Sequence, residues 1–125
     1  MASILRVDTL TDASSNNSTA MSTINQGTAK AWGNTSGVGT PALADSFNMG
    51  SVTDLGTGGE RFTFSSAMAN ANFSTQAFLD HNSSIVTIQQ IPDYGQSTTT
   101  TSVQSHTTSA AVDADVHTTV HGDLA

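Results

Sequence analysis

Cysteine is absent from the 125 residues, so neither a disulfide nor a thiolate metal site can hold this fold together. A reducing cytoplasm is therefore no obstacle to folding. Charge is scarce as well: 3 Lys and Arg stand against 10 Asp and Glu, for a net charge of −7. Charged residues make up 10% of the chain, against about a quarter in an ordinary soluble domain. Arg6, Lys30 and Arg61 are far apart in sequence. Three scattered cations cannot form the basic footprint that phosphate backbones require, nor the basic face that anionic membranes attract, so neither nucleic acid nor membrane is expected as a partner. Long apolar runs are also missing. Nothing approaches the ~20 residues of a bilayer span, and Met1 to Arg6 lacks the apolar stretch of a secretory leader. Good helix formers are thin, with Glu60 and Lys30 the single residues of their types, which disfavours helix throughout.

What the chain has in abundance is hydroxyl. Ser and Thr supply about three residues in ten, far above average usage. Thr and Val recur in runs and suit a pleated, half-solvated surface, so the composition points to an all-β protein and not to disorder. The length allows one core. The expected fold is a single-domain antiparallel β-sandwich of jelly-roll type, residues 21–125, preceded by an extended N-terminal arm and linker, residues 1–20. A small core without disulfide or metal is marginal, and oligomerisation is the common remedy.

The stretch from Ser46 to Phe73 organises the rest. Phe47 to Val52 and Arg61 to Phe64 flank a Gly-rich connection, Leu55 to Gly59, in the pattern of a β-hairpin. Upstream, Ser3 to Leu10 reads as a short strand or extended arm, Thr11 to Thr19 as a linker, and Met21 to Trp32 as strand-like. Downstream, Phe73 to Leu79 alternates, with Phe78 breaking the polar face. Ile85 to Ile91 reads as a buried strand, and the Ser/Thr tract Ser97 to Ser109 as a solvent-facing outer strand. Val116 to Val120 closes the fold, with Val116, Thr118 and Val120 inward and His117, Thr119 and His121 outward. The expected core is Trp32, Phe47, Val52, Phe62, Phe64, Phe73, Ile85 and Ile88.

No motif carries chemistry. A Ser nucleophile lacks the G-x-S-x-G elbow. His117 and His121 have the i,i+4 spacing of a metal pair on a helix, but on a strand they lie about 13 Å apart at roughly 3.3 Å per residue. One copy from each subunit could still meet on an oligomer axis. His81 and His106 have no spacing signal. Asp113 with Asp115, and Asp45 with Asp54, lack the calcium-loop pattern, and Gly56 to Gly59 has no phosphate-loop continuation. No enzyme activity, cofactor or metal is expected from these residues.

The central SFNMGSVTDLGTGGERFTFSSAMANANF, with AKAW at Ala29 to Trp32, the terminal HGDLA and the opening SILRVDTL, resembles a family of small tail-fibre-like virion proteins of tailed bacteriophages, many of them marine or freshwater. The resemblance covers most of the chain and is weakest over Phe78 to Ser109. It implies a virion structural protein assembled in the bacterial cytoplasm, a surface-displayed homotrimer acting as a short tail fibre or fibre tip. Partners would be itself, other virion proteins of tail, baseplate or head, and a host surface glycan. Ile4, Leu5 and Val7 would form an attachment arm, with Phe78 and Tyr94 as receptor or neighbour contacts. The alternative is a capsid decoration or cement protein; a glycan-degrading enzyme stands third and would need paired carboxylates in a cleft.

Overall fold

The computed structural model describes residues 3–37, 39–80 and 85–125. Two four-stranded antiparallel sheets pack face to face as a β-sandwich. Its strands follow a small hairpin of β1 (Thr9–Thr11) and β2 (Ser18–Ala20) and one short helix, α1 (Met21–Gly27). They are β3 (Ala31–Ser36), β4 (Ala42–Phe47), β5 (Met49–Asp54), β6 (Gly59–Phe64), β7 (Ser74–Asp80), β8 (Ile85–Gln89), β9 (Thr100–Thr107) and β10 (Asp115–His121). Sheet I has the order β4-β3-β10-β7 and sheet II the order β5-β6-β9-β8. The expected antiparallel sandwich is the fold observed.

Alternation decides what each strand buries. On β10, Val116, Thr118 and Val120 are buried while the residues between them are half-exposed. On β6, Glu60, Phe62 and Phe64 face inward. Phe64 meets Phe73 edge to face at 5.5 Å between ring centroids. Val52 and Ile88, both half-buried, pack on the rim of this core. The expected hairpin is present as β5 and β6, with Val52 opposite Phe62. Its turn closes through the Leu55 N–H to the Gly59 carbonyl at 2.9 Å. Gly58 is required there: its φ is +69°, and a Cβ would lie 2.6 Å from the Val112 carbonyl oxygen.

Two expected core residues lie elsewhere. Phe47 and Val52 do not belong to one strand, because Asn48 adopts φ 54° and turns the chain from sheet I into sheet II. Its side chain fixes that corner, accepting from the Ser66 N–H at 2.6 Å and donating to the Lys30 and Ser66 carbonyls. Met49 therefore enters the core, and Phe47 is left 52% exposed on the outer face. Trp32 stands opposite Phe47 on that same face, half-buried, because Ala31, Gly33 and Thr35 take the inward positions of β3. The sheets approach too closely there for anything larger: a Cβ on Gly33 would lie 2.7 Å from the Met49 sulfur. Ile85 takes part in the β8 ladder, and its side chain lies outside the described residues, as does His81.

Four further expectations are corrected. Met21 to Gly27 is helical and buries nothing; local bonds hold it, with the Thr28 N–H and hydroxyl both donating to the Ile24 carbonyl. Thr11 to Thr19 is not a linker but a structured turn with the strand residues that flank it. The apolar β8 is an edge strand in which Thr87 and Gln89 are exposed and Ile88 is half-buried. The Ser/Thr-rich β9 lies inside sheet II between β6 and β8, with Thr101, Ser102, Val103 and Ser105 all buried.

Phe62→Ala should cost about 3–5 kcal/mol in urea-induced unfolding, whereas Phe47→Ala should stay within about 0.5 kcal/mol. Thr118 is flanked by Gly33 and Ala77, and its buried Oγ1 has no hydrogen-bond partner. Thr118→Val should therefore raise stability by about 1 kcal/mol in the same measurement.

Candidate functional site

Residues 3–7 lie outside the regular secondary structure and reach β1 through a bend at Asp8, with Ile4 75%, Leu5 80% and Val7 38% exposed. The base of this arm is fixed. The Met21 N–H donates to the Asp8 carbonyl at 2.9 Å. The β1–β2 turn is clamped by Asp12, whose carboxylate accepts from the Ser14 and Asn16 N–H groups and from the Asn17 side chain. The Asn17 bond is the main reason the Asp12 carboxyl sits below its usual value. Leu10, 46% exposed, extends the apolar series into β1. The chain exposes 7568 Å² in all, where a compact monomer of 12.8 kDa is expected to expose about 6,300 Å².

A second apolar surface is the outer face of sheet I. Trp32 and Phe47 are directly opposed across β3 and β4, and Phe78, 69% exposed, lies across from His117 on β7. Tyr94 belongs to the other side of the sandwich. It sits in a short 3-10 turn, Pro92–Tyr94, with its ring under the Arg61 guanidinium at 4.4 Å and its carbonyl accepting from the Ser102 hydroxyl. Phe78 and Tyr94 thus do not form one contact patch. His117 and His121 share an outward face of β10, as the alternation indicated.

Asp54, Glu60, Asp113 and Asp115 gather at one end of the sandwich, where each aspartate accepts a backbone N–H. Asp54 accepts from the Gly56 N–H, Asp113 from the Gly58 N–H and Asp115 from the Gly37 N–H. Among the described residues no group of three or more His, Asp or Glu side chains is arranged to hold a metal ion. Glu60 is the exception to local engagement. It is 4% exposed, and its Oε2 accepts from the Thr35 hydroxyl of the opposite sheet at 2.8 Å. Burial pushes its carboxyl up to about 7. Asp115, Asp54 and Asp113 add smaller upward contributions, and the Thr35 bond opposes them. The sequence signal for this site was the spacing Glu60, Phe62, Phe64, which places the chain's one Glu on the same face as two core rings. The Arg61–Tyr94 stack had no such signal, because its partners are far apart in sequence.

The sign of the pH dependence follows. A carboxyl with a raised folded-state pKa favours folding when protonated, so its contribution is complete below the unfolded value of about 4.5 and is lost as pH rises through 7. The urea midpoint should fall between pH 5 and pH 8. Glu60→Gln should flatten that decline and make the protein more stable than wild type at pH 8, by an amount on the order of 2–3 kcal/mol. No protein-family model, curated protein or solved structure matches the chain.

Proposed function

We propose that the chain is a virion structural protein of a tailed bacteriophage, a homotrimeric β-sandwich displayed on the particle as a short tail fibre or fibre tip that serves host attachment. The observation that carries this is the arm. Ile4, Leu5 and Val7 lie exposed on a segment outside the regular secondary structure, anchored at its base by the β1–β2 hairpin. An exposed apolar segment next to a folded domain is suited to strand addition on a neighbouring subunit or virion protein. The surface area beyond that of a compact monomer supports a partner-covered state. Phe47, Trp32 and Phe78 give the outer face of sheet I the aromatic character of a contact surface. The family resemblance of the Ser46 to Phe73 stretch supplies the phage context.

Sedimentation equilibrium of the purified chain should give the mass of three protomers, and antibody labelling of intact particles should decorate the tail. The triple variant Ile4→Ser, Leu5→Ser, Val7→Ser should keep its thermal unfolding midpoint to within a few degrees and lose incorporation into particles. A folded monomer as the stable species would overturn the trimer. Labelling over the capsid faces would replace the fibre with a head decoration protein.

A further inference from the structure

β8 ends early, and the space it leaves is a cleft of about 160 Å³ between the edge strands of the two sheets. Its ladder with β9 stops at the pair Gln89 and Gln104. Beyond it the chain leaves the sheet, and Pro92 begins the 3-10 turn that seats Tyr94 under Arg61. The backbone of β9 returns to a partner only at Thr100, which pairs with Ser97. Between those points lies Ser102. Along an antiparallel strand, the N–H and C=O of successive residues point alternately to the two neighbours. Ser105 donates to the Gly58 carbonyl and Thr99 accepts from the Phe64 N–H, so the odd-numbered residues of this stretch face the β6 side. Ser102 therefore turns its N–H and C=O the other way, toward the cleft, where no described strand meets them. The residue is 1% exposed.

Around this donor and acceptor the lining is neutral and mixed. Gln90 and Gln96 bring carboxamides, Gln89 brings one whose Nε2 is already bonded to the His106 ring at 3.0 Å, and Thr75 and Thr101 bring hydroxyls already bonded to each other at 2.9 Å. Gln96 is held in place by bonds to the Thr75 hydroxyl and the Phe73 carbonyl. Ala77, Ile88 and Val103 supply a small apolar patch. Among the described residues no ionisable side chain lines the space, and the chain's net charge of −7 repels anions. A cavity of about 150 Å³ accepts a six-membered ring such as benzene, so one such ring fits here. Carboxamides and an unpaired peptide group suit ring hydroxyls, and the apolar patch suits the C–H face of the same ring.

We infer that this cleft binds a single neutral sugar residue, with its hydroxyls on Ser102 backbone and the glutamine carboxamides and its C–H face against Ala77 and Val103. The site deepens the host-attachment proposal and rests on it for the origin of the sugar, a neutral residue of a surface glycan. One ring with few contacts binds weakly, and the expected dissociation constant is millimolar.

The test is an amide-resolved NMR titration of the full chain with glucose, galactose, mannose and N-acetylglucosamine, with glucuronate and inorganic sulfate as charged comparisons. At least one neutral sugar should shift the Ser102, Ala77 and Gln96 amides saturably, and the charged compounds should not. Ala77→Leu, which fills the cleft, should weaken binding at least tenfold. Gln90→Ala, at an exposed position with no structural bond to lose among the described residues, should weaken it several-fold with unchanged spectral dispersion, so the site stays testable if the Leu variant does not fold. No saturable shift at Ser102 with any neutral sugar, an equal response to glucuronate, or shifts confined to Trp32 and Phe47 would overturn the site. Competition by the purified chain in a phage adsorption assay separates the two proposals. A chain that blocks adsorption but binds no sugar refutes only the cleft, and one that binds sugar without affecting adsorption refutes only the attachment role.

Discussion

A hydroxyl taken out of water must find a partner inside the protein, and one that does not costs about 1–3 kcal/mol. A chain so rich in Ser and Thr cannot fold without meeting that demand many times. The sandwich meets it by placing hydroxyls next to backbone groups that the ladders leave free. The Ser105 hydroxyl donates to the Gly58 and Val112 carbonyls, Ser102 to Tyr94, and the Thr101 and Thr75 hydroxyls join the two sheets. Thr35 links β3 to Glu60 and receives the Val116 N–H as well. These bonds are directional where apolar contact is not, so they fix how the sheets sit on each other. Thr118 is the one described side chain that fails the demand.

That constraint also explains which parts of the fold were legible in the sequence. Where apolar side chains mark the buried face, alternation is enough: Val116, Thr118 and Val120 on β10, and Phe62 with Phe64 on β6, lie where the period of two places them. Where hydroxyls do the same work the pattern has no contrast. In β9, Thr101, Ser102, Val103 and Ser105 are all buried, yet the string TTSVQSH looks like solvent surface, because hydrophobicity does not register a hydroxyl whose partner is a distant carbonyl. The error on β8 is its complement. Its run of isoleucines suggests a buried strand, but sheet order is set by pairing, and β9 took the inner place. Phe47 was misplaced for a local reason, a single Asn at positive φ between two runs that read as one. Of the candidate surfaces, the arm was legible from its composition; the cleft and the Glu60 link were not, since they join strands far apart in sequence.

The same economy bears on the exposed apolar residues. With inner positions restricted to Ala, Gly and Thr on β3, there is no interior volume for the chain's one Trp, and it is displaced to the outer face beside Phe47. Across β3 and β4, with large rings outside and small residues inside, the usual distribution for a free-standing domain is reversed. Ile4, Leu5, Val7 and Leu10 add to that exterior. Scattered exposed apolar residues are ordinary, but rings opposed across two strands and a contiguous apolar arm are not scattered. Association through these faces, as in the assembly proposed above, would take that apolar surface out of water.

Glu60 and Ser102 mark the two places where this fold tolerates imperfect burial, and they differ in kind. Glu60 is a charge held inside by one hydroxyl, near three aspartates; the Thr35 bond favours the charged form, while burial and the aspartates outweigh it, so protonation relieves more than that bond loses. Ser102 presents a peptide group to a gap because Ile91, which the ladder register would set opposite it, is drawn into the 3-10 turn, its carbonyl accepting from the Tyr94 N–H, and that turn is anchored by Arg61. A fold under selection for stability alone could extend β8 by two residues and pair that group. The Arg61–Tyr94 anchor instead holds the gap open, and a preformed polar gap of ring size lowers the ordering cost that a small ligand has to overcome.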